Sequence, residues 1–228
     1  MIKQKLEEVR ALIKESAESV GRKYEDVTLV AVTKTHGADV INEAIDCGVT
    51  DIGENKVQEI MEKYDKVKPV RWHLIGHLQT NKVKYIIDKV YMIHSVDSIK
   101  LMDEIEHQAE KHGVDMKILI QINISGEETK FGIKPEELES LLLHAGSLKH
   151  VKVCGLMTIA PKIDSNMSNR LHFDNIRKIY IDISQKKYDN VNMQYLSMGM
   201  SSDYESAIEA GSNMVRVGSA IFGARNYI

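Results

Sequence analysis

The chain has 228 residues, 43% of them hydrophobic. A folded chain of that length buries roughly 70–75% of the surface its unfolded form exposes, so it needs no covalent staples. Thirty Lys and Arg against 33 Asp and Glu leave a formal net charge of -3, which excludes a global pull toward nucleic acid or an anionic membrane. Only Cys47 and Cys154 are present, with no CxxC or zinc spacing, which excludes a disulfide framework and suits a reducing cytoplasm.

The first twenty residues place Ile2, Leu6, Val9, Ile13 and Ala17 at helical spacing, an amphipathic helix over about 1–20. Glu7, Glu8, Glu15 and Glu18 within it exclude a signal peptide, and no apolar run nears the ~20 residues a membrane helix needs. Short β-rich runs then open near Thr28 (TLVAV), Asp51 (DIG), Arg71 (RWHLIG), Val90 (VYMIHS), Lys117 (KILIQIN), Val151 (VKVCGLM), Met193 (MQYLS) and Asn213 (NMVRVG). Amphipathic stretches between them, such as Asp39–Cys47, Ser98–His112, Pro135–Ala145 and His172–Lys186, read as helices. The mixed-sign stretch Glu62–Lys66 reads as a solvated helix face.

Three prolines and no Gly/Ser-rich or single-charge tract leave no linker, so the expectation is one domain over 1–228. Eight alternations of strand and helix argue for parallel strands with crossover helices. An α/β fold of the (β/α)8 TIM-barrel type with an extra N-terminal helix fits the count and length. Its rival, a doubly wound sheet, lacks the G-x-G-x-x-G after strand 1 that would mark it.

In such a barrel the site gathers at the strand ends. Those ends carry Lys34; Glu54 and Asn55; His73, His77 and Gln79; Ser95; Asn123; Thr158; Ser197 with Ser201; and Arg216 with Ser219. Helix capping accounts for some of the Ser, Thr and Asn. Lys34 is different, because a partly desolvated mouth favours the uncharged, nucleophilic amine that forms Schiff bases. Position alone leaves open whether Lys34 instead snorkels to solvent or pairs with Glu54. The segments Ser197–Asp203 and Val215–Ser219 offer glycine for close approach, hydroxyl donors and helix starts, all suited to phosphate. Ser202 with Glu205 also matches a capping box. Together with Lys34, the two loops describe a site for a phosphorylated carbonyl compound. Neither the histidines nor the acidic residues show the spacing of a metal site, and Trp72, the tyrosines and Cys154 read as packing.

The runs AVTK (31–34), IGENKVQE (52–59), WHLIGHLQTNK (72–82), LSMGMSSDYESAI (196–208) and VRVGSAIFGARNY (215–227) resemble the pyridoxal phosphate homeostasis proteins. The resemblance implies the barrel of the alanine racemase N-terminal domain, with pyridoxal 5′-phosphate (PLP) held as a Schiff base on the strand-1 lysine, here Lys34. It further implies that Ser201, Gly218 and Ser219 hold the phosphate, that Arg216 faces the pyridine nitrogen and that Asn55 lies beside the ring. Thr35, His36 and Gly37 fall in a variable part of the pattern and inherit no role. No residue is assigned a catalytic or metal-binding part.

The function so implied is binding of PLP for cytoplasmic vitamin B6 and amino-acid homeostasis without efficient catalysis. PLP-dependent apo-enzymes are the further partners, and neither nucleic acid nor membrane is one. Two other functions stay open: a PLP-dependent amino-acid racemase, and a cofactor-free Schiff-base aldolase acting on a sugar phosphate. Against racemisation stands the expectation that the chain, ending at Ile228, lacks the β-rich domain whose tyrosine serves the second face in alanine racemase. Tyr204 and Tyr227 are the tyrosines that could substitute.

Overall fold

The computed structural model describes residues 1–127, 130–161 and 169–223. Helix α1 (Ile2–Ser19) buries Leu6, Val9, Ile13 and Ala17, the stripe its spacing predicts. It lies outside the barrel against the helices that end the chain. The strands are β1 (Thr28–Val32), β2 (Asp51–Glu54), β3 (Arg71–Leu74), β4 (Met92–Val96), β5 (Met116–Ile122), β6 (Val151–Thr158), β7 (Val191–Met200) and β8 (Met214–Val217). They close into a barrel in sequence order, each pair parallel, with β1 hydrogen-bonded to both β2 and β8. The crossovers are α2 (Ala38–Asp46), α3 (Val57–Lys63), α4 (Ile99–His112), α5 (Leu138–Ala145), α6 (Arg170–Ser184), α7 (Tyr204–Glu209) and, after β8, the single turn α8 (Ser219–Phe222).

Local signals explain the best-defined helix. In α4 the Ser98 hydroxyl accepts the Leu101 N–H at 3.2 Å, and Gly113 closes the end in the left-handed region at φ 65°. One crossover departs from expectation, because β3 passes to β4 through a 3-10 turn, Thr80–Tyr85, with no α-helix. The predicted capping box also differs: Asp203 takes the N-cap position of α7, and its carboxylate accepts the Met200 N–H at 2.7 Å.

The two-residue period of the strands sorts the core into two layers. Ala31, Ile52, Leu74, Ile93, Val215 and Val217 face outward into the layer shared with the helices. Their neighbours point into the barrel, where Val30, Met92, Leu119, Cys154, Met157 and Met214 pack as a separate apolar cluster. The same alternation sends Asp51, His73, His94, Ser197 and Arg216 inside, and all five are buried.

Candidate functional site

Four consecutive strands, β7, β8, β1 and β2, deliver every expected ligand-binding residue to one end of the barrel. A cavity of about 550 Å³ opens there, lined by Lys34, Asn55, Ser201, Arg216, Gly218 and Ser219. Its apolar wall comes from Val32, Ile75, Ile159 and Met200, and Ser202 and His36 complete the polar side. Such a volume suits a small organic ligand, for which pockets of roughly 300–1,000 Å³ are usual. Ile75, Ile159 and Met200 carry no chemical signal in sequence and are found only once the chain is folded.

Lys34 sits two residues beyond β1 in a turn held from both sides. Thr35 has φ 68°, a left-handed conformation for a β-branched residue, and its N–H donates to Glu59 Oε2 at 2.7 Å. The His36 N–H donates to the Thr33 carbonyl at 3.1 Å, and burial, ahead of the nearby Lys63 charge, pulls the His36 imidazole below its usual range. Beneath this turn Lys63 Nζ donates to Glu54 Oε1 at 2.8 Å, Glu59 Oε2 at 2.7 Å and the Thr33 carbonyl at 3.2 Å. The Thr33 hydroxyl also donates to Glu54 Oε1, at 2.7 Å. Lys63 is therefore no part of a solvated helix face. It is buried as the shared cation of two carboxylates, and burial still raises the Glu54 carboxyl above its ordinary range despite Lys63.

Asn55 follows β2 directly, and its side-chain Oδ1 is buried beside the cavity with no hydrogen-bond partner among the described residues. Its backbone is pressed by Gly76, where a Cβ would stand 2.2 Å from the Asn55 carbonyl oxygen. Across the cavity Ser201 Oγ accepts the N–H of Gly218 at 3.1 Å and of Ala220 at 3.4 Å, which ties the β7 and β8 loops together. Gly218 brings the start of α8 against β1: a Cβ there would stand 3.2 Å from both the Cβ and the carbonyl oxygen of Val32. Arg216 is 4% exposed, donating to Ser197 Oγ at 2.5 Å and to the Thr158 carbonyl at 2.8 Å. Burial brings its guanidinium down to about 10, opposed by Asp203, so it remains a cation at neutral pH.

The remaining strand-end candidates are not among the described residues that line this cavity. Thr158 donates to the Ile122 carbonyl at 2.8 Å, and Asn123 organises its own loop through the Gly126 N–H at 3.1 Å and the Glu127 carbonyl at 2.8 Å. His77 stacks on Phe131 with ring centroids 3.9 Å apart. Tyr204 is buried in the outer core, and Tyr227 lies outside the described residues. A second cavity, about 410 Å³, contains Arg22 and Arg177. The Arg22 guanidinium there donates to the carbonyls of Ile208 at 3.2 Å and Ser212 at 2.8 Å, closing the end of α7, with Asp26 and Tyr180 beside it in the lining. Among the described residues no group of three or more His, Cys, Asp or Glu is arranged for a metal, and no helix is long and apolar enough to cross a membrane.

Residues 6–226 match the family model described as alanine racemase, N-terminal domain. The pyridoxal phosphate homeostasis protein of Aquifex aeolicus is 42% identical over 226 residues, 98% of each chain. PipY of Synechococcus elongatus, solved with PLP bound, superposes with a TM-score of 0.84 at 31% identity, covering 98% of this chain and 100% of PipY. The alanine racemase of Streptomyces coelicolor, at 18% identity, TM-score 0.72 and 98% coverage of this chain against 58% of its own, shares the fold.

Proposed function

The chain belongs to the alanine racemase N-terminal domain family and, within it, to the pyridoxal phosphate homeostasis proteins, and on that basis we propose that it binds PLP through Lys34 as a cytoplasmic B6 carrier. The observation that carries the reading is the convergence of Lys34, Asn55, Ser201, Arg216, Gly218 and Ser219 on one cavity. The residues fit the group. An amine at a strand end suits its aldehyde, the hydroxyls of Ser201 and Ser219 suit its phosphate, and Val32, Ile75, Ile159 and Met200 supply an apolar surface for its ring. Asn55 Oδ1, buried and unpartnered among the described residues, calls for a donor from whatever fills the cavity.

Lys34 would hold the group through its amine, a C=N bond replacing the aldehyde C=O with loss of one water, and that is the proposed mode of holding. When bound, PLP supplies an electron sink whose strength depends on a proton on its pyridine nitrogen. Arg216 would donate a hydrogen bond to that nitrogen but retain its proton, because even at about 10 its guanidinium is a poor acid at neutral pH. Racemisation also needs an acid/base group on each face of the substrate carbon. Among the described residues no tyrosine lines the cavity, and Tyr204 is turned into the outer core. Both facts favour storage or delivery over turnover, with PLP-dependent apo-enzymes as recipients.

The test is a spectrum of purified protein followed by borohydride reduction and peptide mass analysis. The expected result is a yellow chromophore fixed on Lys34 and lost in Lys34→Ala. A colourless protein that reduction leaves unlabelled would indicate a cofactor-free lyase, and pyridoxyl on Lys56 or Lys82 would refute the assignment of Lys34.

A further inference from the structure

Barrel interiors are ordinarily filled by branched aliphatic side chains. Here two imidazoles, His73 and His94, are 0% exposed inside the barrel, and nothing in the binding reading uses them. They belong to one continuous set of hydrogen bonds. Arg216 reaches Ser197 Oγ at 2.5 Å, Ser197 Oγ meets His94 Nδ1 at 3.3 Å, His94 Nε2 meets His73 Nδ1 at 2.9 Å, and His73 Nε2 meets Asp51 Oδ1 at 2.9 Å. Asp51 stands at the first residue of β2, clasped by Arg71 Nε at 2.8 Å and Arg71 Nη2 at 2.6 Å. Asp51 and Arg71 line a cavity of about 230 Å³ at the opposite end of the barrel. The chain thus runs from the binding cavity to the base.

The direction of every link can be deduced. Burial would raise the Asp51 carboxyl, but hydrogen bonds from His73, Arg71 and Thr50 outweigh it and hold it down to about 2, so it only accepts. His73 Nε2 therefore carries hydrogen. Burial keeps both imidazoles neutral, that of His94 strongly so, with Asp51 opposing on the His73 side and Arg71, Lys117 and Arg216 adding to the effect. A neutral His73 with hydrogen on Nε2 must accept at Nδ1, so His94 donates from Nε2 and accepts at Nδ1 from the Ser197 hydroxyl. Ser197 Oγ then accepts from Arg216. All donors point from the cavity toward the base, and each link joins one donor to one acceptor, so the buried network has a single consistent arrangement.

We propose that Ser197, His94 and His73 are positioning residues: with Asp51 they form a one-way hydrogen-bond chain that fixes Arg216 against a ligand in the binding cavity. This rests on the reading that the ligand is PLP with its ring nitrogen toward Arg216. Arg216 touches no carboxylate among the described residues, and its guanidinium is aimed by two neutral oxygens alone, Ser197 Oγ and the Thr158 carbonyl. Removing either end of the Ser197–His94 link leaves Arg216 aimed by the Thr158 carbonyl and, at most, by a Ser197 hydroxyl that nothing orients.

Two measurements test the chain. In the unaltered, ligand-free protein, nitrogen NMR of the histidines should find His73 and His94 neutral at pH 7, both with hydrogen on Nε2. A hydrogen on Nδ1 of either ring, or a charged ring, would overturn the assignment without any variant being made. Binding is then compared for PLP and an analogue whose ring nitrogen is replaced by CH. Ser197→Ala and His94→Leu should weaken PLP roughly tenfold, about the cost of one hydrogen bond to a charged group, and leave the analogue nearly unchanged. His94→Gln, whose amide oxygen can still accept from Ser197, should recover most of the loss. Equal weakening of both ligands, with melting curves intact, would show that the chain does not act through Arg216. Failure of the carrier reading looks different: the unaltered protein would retain neither ligand although its histidine tautomers were as assigned, and the role toward PLP would fall with it.

Discussion

Lys63→Met should cost this protein about 3–5 kcal/mol, the range for removing one partner of a buried ion pair. The side chain keeps its bulk, so the loss is electrostatic. Among the described residues Glu54, whose side chain is 0% exposed, would retain only the Thr33 hydroxyl on Oε1, while its Oε2 already lacks a partner. Glu59, 19% exposed, would lose its one ion-pair partner among the described residues as well. Against a typical stability of roughly 5–15 kcal/mol, that loss is readily visible in urea unfolding. The pH dependence identifies its origin. Burial holds the Glu54 carboxyl above its unfolded range, and Lys63→Met removes the cation that opposes it. A raised folded value means the penalty is absent where the carboxyl is protonated in both states and grows as pH rises through the carboxylate range. The deficit of Lys63→Met should therefore be smaller near pH 5 than near pH 8. Adding Glu54→Leu should restore much of the stability, since an apolar replacement removes the stranded charge. PLP retention should fall too, because Lys63 holds the Thr33 carbonyl and its partner Glu59 holds the Thr35 N–H, the residues on either side of Lys34. A loss below about 1 kcal/mol, or one that does not vary with pH, would refute the reasoning.

Three further outcomes are expected. Ser201→Ala combined with Ser219→Ala should weaken PLP by at least ~10-fold and pyridoxal hardly at all, given roughly 1.5–3 kcal/mol for each charge-assisted hydrogen bond, and equal losses in a binding titration would place the phosphate elsewhere. Gly76→Ala must move the Asn55 carbonyl, which a Cβ would approach to 2.2 Å, so it should cost about 1–3 kcal/mol in a thermal melt and loosen PLP, whereas wild-type melting and binding would show that the contact yields freely. PLP-loaded protein with L-alanine in deuterated water should show no rapid Lys34-dependent α-deuteration. Fast inversion would instead point to His36, the one imidazole among the described cavity-lining residues, as a second acid/base group.

Period-two patterning and turn residues made the barrel readable. Val215 and Val217 alternate with Arg216, and that alone puts the arginine inside, at the end of a strand. The strand openings at Thr28, Asp51, Arg71 and Val151 coincide with those of the folded chain, while Val90 and Met193 differ because β4 begins at Met92 and β7 at Val191. The sequence places Ser197 at the end of its strand; β7 continues to Met200, so Ser197 is an interior residue and contacts Arg216 instead of the cavity. Lys63 reads as a solvated charge for a different reason. Its neighbours Glu62, Asp65 and Lys66 are as charged as any solvated helix, and only the pairing of β1 with β2 brings Glu54 under it. The Asp51–His73–His94 series was equally hidden, since its members come from three strands and no local motif joins them.

Charge placement explains why this arrangement suits a carrier of an anionic cofactor although the chain as a whole is acidic, at net -3. Lys63 is spent on Glu54 and Glu59, and Asp51 on Arg71 and His73. Arg216 is left at the cavity with only neutral contacts among the described residues, a local excess of positive charge beside the hydroxyls of Ser201 and Ser219. The hydrogen-bond chain reinforces this. With every donor pointing toward the base, its dipole has the positive end at Asp51 and the negative end at Arg216, so each end faces a charge of opposite sign. Reversed, the chain would oppose both. The orientation that satisfies Asp51 is thus the one that keeps Arg216 charged, so it can give a pyridine nitrogen a hydrogen bond while keeping the proton an efficient electron sink would need.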